Sequence, residues 1–197
     1  MKDNAIKNIC VYCGSGVGAS PIYAEAARQL GQAMAREGIG LVYGGAGVGL
    51  MGEIARSVMA AGGNVTGIRP PDLPINEPPF NDISELIEVK NLHERKMLMF
   101  ERSDAFVALP GGVGTLEELV EQITWAQLGH HAKPILMADI DGYWTPLLDL
   151  FAQMRRLKFI SPALDISYLV TGEVEEIIPM LREAARPGRE ARLAVAP

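Results

Sequence analysis

The stretch Leu109-Pro110-Gly111-Gly112-Val113-Gly114-Thr115-Leu116-Glu117-Glu118 sets three glycines beside two adjacent carboxylates. The apolar run before it, Asp104 to Leu109, reads as a buried parallel strand. Pro110 cannot donate to a sheet ladder and ends that strand. The glycines let a ligand approach bare backbone N–H groups. Thr115 opens a long amphipathic run, so the glycines fall at a helix N-terminus, where free N–H groups and the helix dipole favour an anion, phosphate above all. Glu117 and Glu118 stand beside that place, and the Glu118 carboxylate would reach a sugar attached to that phosphate. A second reading stands beside this one: Thr115-Leu-Glu-Glu118 has the spacing of a capping box, in which Thr115 and Glu118 satisfy each other's backbone N–H groups.

Two further glycine turns share this character. Cys13-Gly-Ser-Gly-Val-Gly18 runs into Ser20-Pro21, an N-cap followed by proline at N1. It is either a wall of a ligand crevice, with Ser15 as hydrogen-bond donor, or a tight connection. Gly44-Gly-Ala-Gly-Val-Gly49, continued by Leu50-Met-Gly52, contains a literal G-x-G-x-x-G. It follows the second strand, no acidic residue ends the next strand, and no Lys-Ser/Thr follows. A bound dinucleotide is therefore set aside, and a phosphate or ribose contact at Gly45 and Gly47 is kept. Arg95 and Lys96 fall within the apolar arc of a helix over Leu92 to Arg102. Either their stems are buried with their heads in water, or Arg95 faces the crevice and meets a carboxylate or the substrate. Cys10 and Cys13, three apart in a strand and its end, point to opposite faces and are read as core residues. The histidines have no ligand spacing, Asp139 and Asp141 suit a turn, and no metal site or cofactor is expected.

The elements that must position these residues alternate. Strands are expected at Ile6–Tyr12, Ile39–Tyr43, Val65–Ile68, Leu86–Val89, Asp104–Leu109, Pro134–Ala138 and Ser167–Val170. Helices are expected at Pro21–Glu37, Leu50–Ala61, Leu92–Arg102, from Thr115 to a stop at Gly129, Trp144–Leu157 and Val174–Ala184. A proline-rich loop covers Arg69 to Phe80. This alternation predicts an α/β fold, a doubly wound, mostly parallel sheet with helices on both faces, and a ligand crevice at the carboxyl ends of its strands. The 197 residues suffice for one domain, read as 1–185 with a frayed tail over 186–197. A net charge of −6 without a basic run argues against nucleic-acid or membrane partners. With two cysteines, no apolar leader and no span of transmembrane length, the chain reads as cytoplasmic. Trp125 and Leu128 share the helix side of Glu117, Glu118 and Glu121, which predicts a homodimer interface there.

Taken together, Cys13-Gly-Ser15, Tyr43-Gly-Gly-Ala-Gly-Val-Gly-Leu-Met-Gly52, His93-Glu-Arg-Lys96, Pro110-Gly-Gly-Val-Gly-Thr-Leu-Glu-Glu118 and Ile123-Thr-Trp-Ala-Gln-Leu-Gly129 resemble the Lonely Guy family. Its members are cytokinin riboside 5′-monophosphate phosphoribohydrolases, often labelled lysine decarboxylase-like. The resemblance runs from about residue 6 to residue 184 in order and spacing, with Ala46 standing where the family usually has another glycine. It implies a Rossmann-like hydrolase that cleaves the N-glycosidic bond of N6-modified adenosine 5′-monophosphates, without metal or cofactor, to free base and ribose 5-phosphate. By motif it implies Arg95 and Glu118 as the catalytic pair. Lys96, Gly111, Gly112, Val113, Gly114, Thr115, Leu116, Glu117 and Thr124 match its substrate contacts. The decarboxylase label finds no pyridoxal-phosphate lysine motif to rest on. Two alternatives remain: a broad nucleotide 5′-monophosphate nucleosidase, and a non-catalytic carrier of a phosphorylated cofactor similar to molybdenum-cofactor carriers.

Overall fold

The computed structural model describes residues 6–71 and 78–186. The expected frayed tail, apart from Arg186, and the middle of the proline-rich loop lie outside them. Seven strands form one sheet in the order β4-β3-β2-β1-β5-β6-β7, every neighbouring pair parallel. The strands are β1 (Asn8–Tyr12), β2 (Gly40–Tyr43), β3 (Val65–Arg69), β4 (Glu85–Glu88), β5 (Ala105–Ala108), β6 (Ile135–Ala138) and β7 (Leu169–Thr171). The helices are α1 (Pro21–Arg36), α2 (Gly49–Ala60), α3 (Leu92–Glu101), α4 (Val113–Gln127), α5 (Thr145–Arg156) and α6 (Val174–Ala184). The expected doubly wound sheet is the observed one.

Strand alternation divides the core into two layers. Ile9, Val11 and Cys13 join α1, α2 and α6 on one face, while Cys10 and Tyr12 join α3, α4 and α5 on the other. The two cysteines are buried, unbridged and on opposite faces, as their spacing predicts. β1 and β5 lie side by side, with Tyr12 opposite Ala108. From β1 the chain winds outward through β2 to β4, and from β5 it winds the other way through β6 to β7. This is the switch point at which open parallel sheets leave a crevice, and the loops over it are the Cys13–Gly18 turn and the Pro110–Gly114 turn.

Local signals explain most helix ends. Ser20 caps α1 at the Ile22 N–H with Pro21 behind it. Gly129 follows α4 in the left-handed region, φ +79°, with its N–H on Ala126 O. The start of α4 differs from the expected one. Gly112 is the N-cap, with extended backbone and no side-chain cap, and the helix begins at Val113. Thr115 is therefore the third helical residue rather than the cap. The capping box does not form, and Glu118 stands inside the helix. No helix of the described residues is long and apolar enough to cross a membrane.

On the far face, α1 and α2 touch closely at Gly31. A Cβ there would stand 2.9 Å from both Ile54 O and Ser57 Cβ, and the Ser57 hydroxyl donates to Arg28 O at 2.6 Å. Gly31→Leu would force the two helices apart and is expected to destabilise the chain by about 1–3 kcal/mol, read as a lower urea midpoint. An unchanged midpoint would mean that the contact between α1 and α2 is not close-packed.

Candidate active site

Three carboxylates and two cations meet where α3 crosses α4. Asn91 caps α3 at the Glu94 N–H (2.9 Å), and Glu94 accepts from the Lys90 N–H (2.9 Å), which fixes the first turn that carries Arg95 and Lys96. The Lys96 ammonium is 2.6 Å from Glu117 Oε1 and 2.9 Å from Glu121 Oε1. Burial alone would lower its pKa, yet the two carboxylate hydrogen bonds outweigh that and hold it above the ordinary lysine value.

Arg95 is aimed elsewhere. Its Nε donates to Ile68 O at 3.1 Å, and its Nη2 stands 3.7 Å from Glu118 Oε1. That separation is an electrostatic contact rather than a hydrogen bond. The guanidinium lies against Gly44, where a Cβ would collide with Nη2, so the second glycine turn makes room for the arginine. Both side chains are largely buried, 13% and 14% exposed. Among the described residues no hydrogen bond ends on the Glu118 carboxyl, because Lys96 is taken by the neighbours on either side. Burial therefore dominates, Arg95 only partly offsets it, and the Glu118 carboxyl is raised to about 7.

The glycine loop supplies the second half of the site. No hydrogen bond within the described protein occupies the N–H groups of Val113, Gly114 and Thr115, and the first helical bond runs from the Leu116 N–H to Gly112 O. Gly112, Val113 and Gly114 are exposed and Thr115 is buried beneath them. Gly111 is tightly boxed: a Cβ on it would collide with Thr115 Oγ1 and stand 2.8 Å from Gly14 N. The start of α4 is thus an open set of amide donors at the positive end of a 15-residue helix. Three to five residues further on stands Glu118, about 5–8 Å along the axis.

The other expected contacts are distributed differently. Leu116 is half-buried against the core beneath α4. Ser15 is exposed in the loop beside Gly111, its backbone against Gly49. The start of α2 offers no comparable donor set. Its Leu50 and Met51 N–H groups both bond Gly14 O, at 3.0 and 3.3 Å, and Gly47 N–H bonds Pro78 O at 3.0 Å. Gly45, at φ +78°, accepts from the Phe80 N–H. Gly45 and Gly47 therefore brace the segment at 78–80, with the buried Ala46 bridged to Pro79. The Thr124 hydroxyl is turned onto Val120 O at 2.8 Å and takes no part in the charged cluster. Asp139 serves a turn, as expected: its carboxylate accepts from the N–H groups of Trp144 and Thr145. Two members of the site had no motif to mark them. Glu121 is placed by helical spacing from Glu117, and Tyr143, which donates to Gly111 O, arrives from the β6–α5 connection.

Glu118 has a consequence for stability. Its folded pKa, about 7, lies above the ordinary carboxylate value, so the favourable contribution of its protonated form is complete below the unfolded pKa and is lost as pH rises through about 7. At pH 8 the ionised group then costs on the order of 3 kcal/mol. Glu118→Gln is expected to melt higher than the parent chain at pH 8, with the difference shrinking toward pH 5. A variant that melts lower at pH 8 would contradict the burial argument.

A family model described as "Possible lysine decarboxylase" matches residues 51–181. A probable cytokinin riboside 5′-monophosphate phosphoribohydrolase of Oryza sativa subsp. japonica is 51% identical over 73% of this chain and 64% of its own length. A cytokinin riboside 5′-monophosphate phosphoribohydrolase of Arabidopsis thaliana is 44% identical over 90% of this chain and 82% of its own. Among solved structures, a molybdenum cofactor binding protein from Rippkaea orientalis superposes with TM-score 0.67 at 24% identity, over 92% of this chain and 99% of that one. A molybdenum cofactor carrier protein from Chlamydomonas reinhardtii gives 0.68 at 20%, over 91% and 98%. At these identities the structural likeness establishes the shared fold alone. The sequence relationship goes further, and with the motifs and the matched model it places this chain in the Lonely Guy family, whose relatives named here are cytokinin riboside 5′-monophosphate phosphoribohydrolases.

Proposed function

We propose that this chain hydrolyses the N-glycosidic bond of N6-modified adenosine 5′-monophosphates (cytokinin riboside 5′-monophosphates) and of AMP, releasing the free base and ribose 5-phosphate. The observation that carries this reading is the buried Glu118–Arg95 pair standing along α4 from a set of unoccupied amide donors. Those donors take the 5′-phosphate, and the ribose spans the distance to Glu118. Breaking the bond from C1′ to the base builds positive charge on the sugar, which the Glu118 carboxylate stabilises while it accepts a proton from the attacking water. The bond's electron pair leaves with the base. Arg95 holds Glu118 in place and supports negative charge growing on the leaving group. Phosphate binding contributes energy remote from the reacting bond and positions the sugar, so nucleosides should be poor substrates.

The chain acts in the cytoplasm as a homodimer. Support for the dimer comes from the apolar side chains left in solvent beside the site: Leu92 and Met97 on α3, and Val113 and Leu128 on α4. Trp125 contributes less free surface than expected, since its ring packs edge-on against Phe100 at 5.4 Å. A carrier of a phosphorylated cofactor would need the amide donors but not a buried carboxylate beside an arginine.

The test is release of base and ribose 5-phosphate from isopentenyladenosine 5′-monophosphate, AMP and the matching nucleoside. Release is expected from both nucleotides and not from the nucleoside. Glu118→Gln should lower kcat by about a hundredfold or more. Nucleotide binding without any base release would favour the carrier, and equal rates on nucleotide and nucleoside would overturn the phosphate cradle.

A further inference from the structure

Three consecutive carbonyl groups in the glycine loop are anchored. Pro110 O accepts from the Gly14 N–H at 3.1 Å, Gly111 O accepts from the Tyr143 hydroxyl, and Gly112 O accepts from the Leu116 N–H at 3.0 Å. In a planar trans peptide the C=O and the N–H of the next residue point in opposite directions. Anchoring these carbonyls therefore orients the N–H groups of Gly111, Gly112 and Val113. Two of the anchors are backbone and follow from the fold. The third is a side chain, on a connection that belongs to neither loop.

Tyr143 is itself held rigidly. The preceding connection turns through Asp141 at φ +55° and Gly142 at φ +69°. The next residue, Trp144, is buried, with its indole N–H on Ala108 O at 3.2 Å and its backbone N–H on Asp139 Oδ1 at 2.5 Å. The Tyr143 ring meets Trp144 edge-on at 5.0 Å and Tyr23 of α1 edge-on at 5.8 Å. The hydroxyl is thus delivered to Gly111 O by a packed scaffold anchored at the end of β5. Gly111, which tolerates no Cβ, has no side chain of its own to restrain that peptide plane.

We propose that Tyr143 is a positioning residue for anion recognition: by fixing the Gly111–Gly112 peptide it aims the Gly112 N–H into the cradle for the substrate's 5′-phosphate. The inference rests on the phosphate-cradle part of the function proposed above and not on the chemical step. Its test is accordingly equilibrium binding by calorimetry, with ribose 5-phosphate and with free adenine as probes, on the parent chain and on Tyr143→Phe. Phenylalanine keeps both edge-on ring contacts and removes only the hydroxyl. Ribose 5-phosphate is expected to bind the variant roughly tenfold more weakly, the scale of one misaligned hydrogen bond to a charged group, with adenine affinity unchanged. An unchanged ribose 5-phosphate affinity, or equal losses for both probes, would overturn the proposal, as would a parent chain that binds no ribose 5-phosphate. A chain that binds ribose 5-phosphate tightly through Tyr143 yet releases no base would keep this inference and remove the hydrolase. Tyr143→Leu, which also discards the ring contacts, separates the hydroxyl from the scaffold: it should weaken ribose 5-phosphate binding at least as much, and wild-type binding by it would overturn the proposal.

Discussion

The arrangement depends on one carboxylate being buried without a full set of partners. Glu118 stands 3.7 Å from a guanidinium that is itself tied to a backbone carbonyl, which is near enough to orient it and too far to neutralise it. Everything around the pair maintains that condition. Gly44 leaves the space that Arg95 fills. Lys96 is drawn onto Glu117 and Glu121, so its ammonium does not settle on Glu118. An ionisable group held this way carries a stability cost that close ion pairing would remove, and such costs gather where chemistry needs a carboxylate that can exchange a proton near neutrality.

Topology puts that carboxylate along α4 from a set of open amide donors. The switch between β1 and β5 brings two glycine turns into contact, and the neighbouring helix starts are used in opposite ways. At α2 the first N–H groups are closed by Gly14 O, which binds the first loop to the second. At α4 they are left open. The three glycine turns thus differ in use: one is packing, one is bracing with room for Arg95, and one leaves the first N–H groups of α4 open. Molybdenum cofactor binding and carrier proteins share this fold, and a fold alone does not fix what is done at its sites.

Much of this was legible before any coordinates. The alternation of apolar runs with helical periods gave the sheet and both helical layers, and Ser20-Pro21 and Gly129 marked helix ends through local chemistry that needs no tertiary context. The Arg95 wheel position leaves two readings open, and the fold brings its guanidinium, largely buried, beside the Glu118 carboxyl. The amphipathic run that opens at Thr115 points to a helix start there, with a capping box as the alternative for Glu118. A loop as tightly packed as Gly111 against Gly14 and Thr115 instead lets Gly112 cap without a side chain and starts α4 at Val113. The phosphate reading of Gly45 and Gly47 met competition that local pattern does not encode, since the partner of Gly47 is Pro78, far along the chain. Tyr143 was invisible for the same reason: its bond to Gly111 joins two separate strand–helix connections, and nothing in Asp141-Gly-Tyr-Trp144 announces it.

The most direct measurement of the central claim is the pH dependence of kcat/KM for AMP hydrolysis from pH 5 to 9. With Glu118 acting as the ionised group and its pKa about 7, the rate should rise with pH through a single inflection near 7 and level off above it. The inflection should vanish from the residual activity of Glu118→Gln. A profile that is flat across this range, that falls through it, or that keeps its inflection in the variant would contradict the account of Glu118 as the buried carboxylate that drives the reaction.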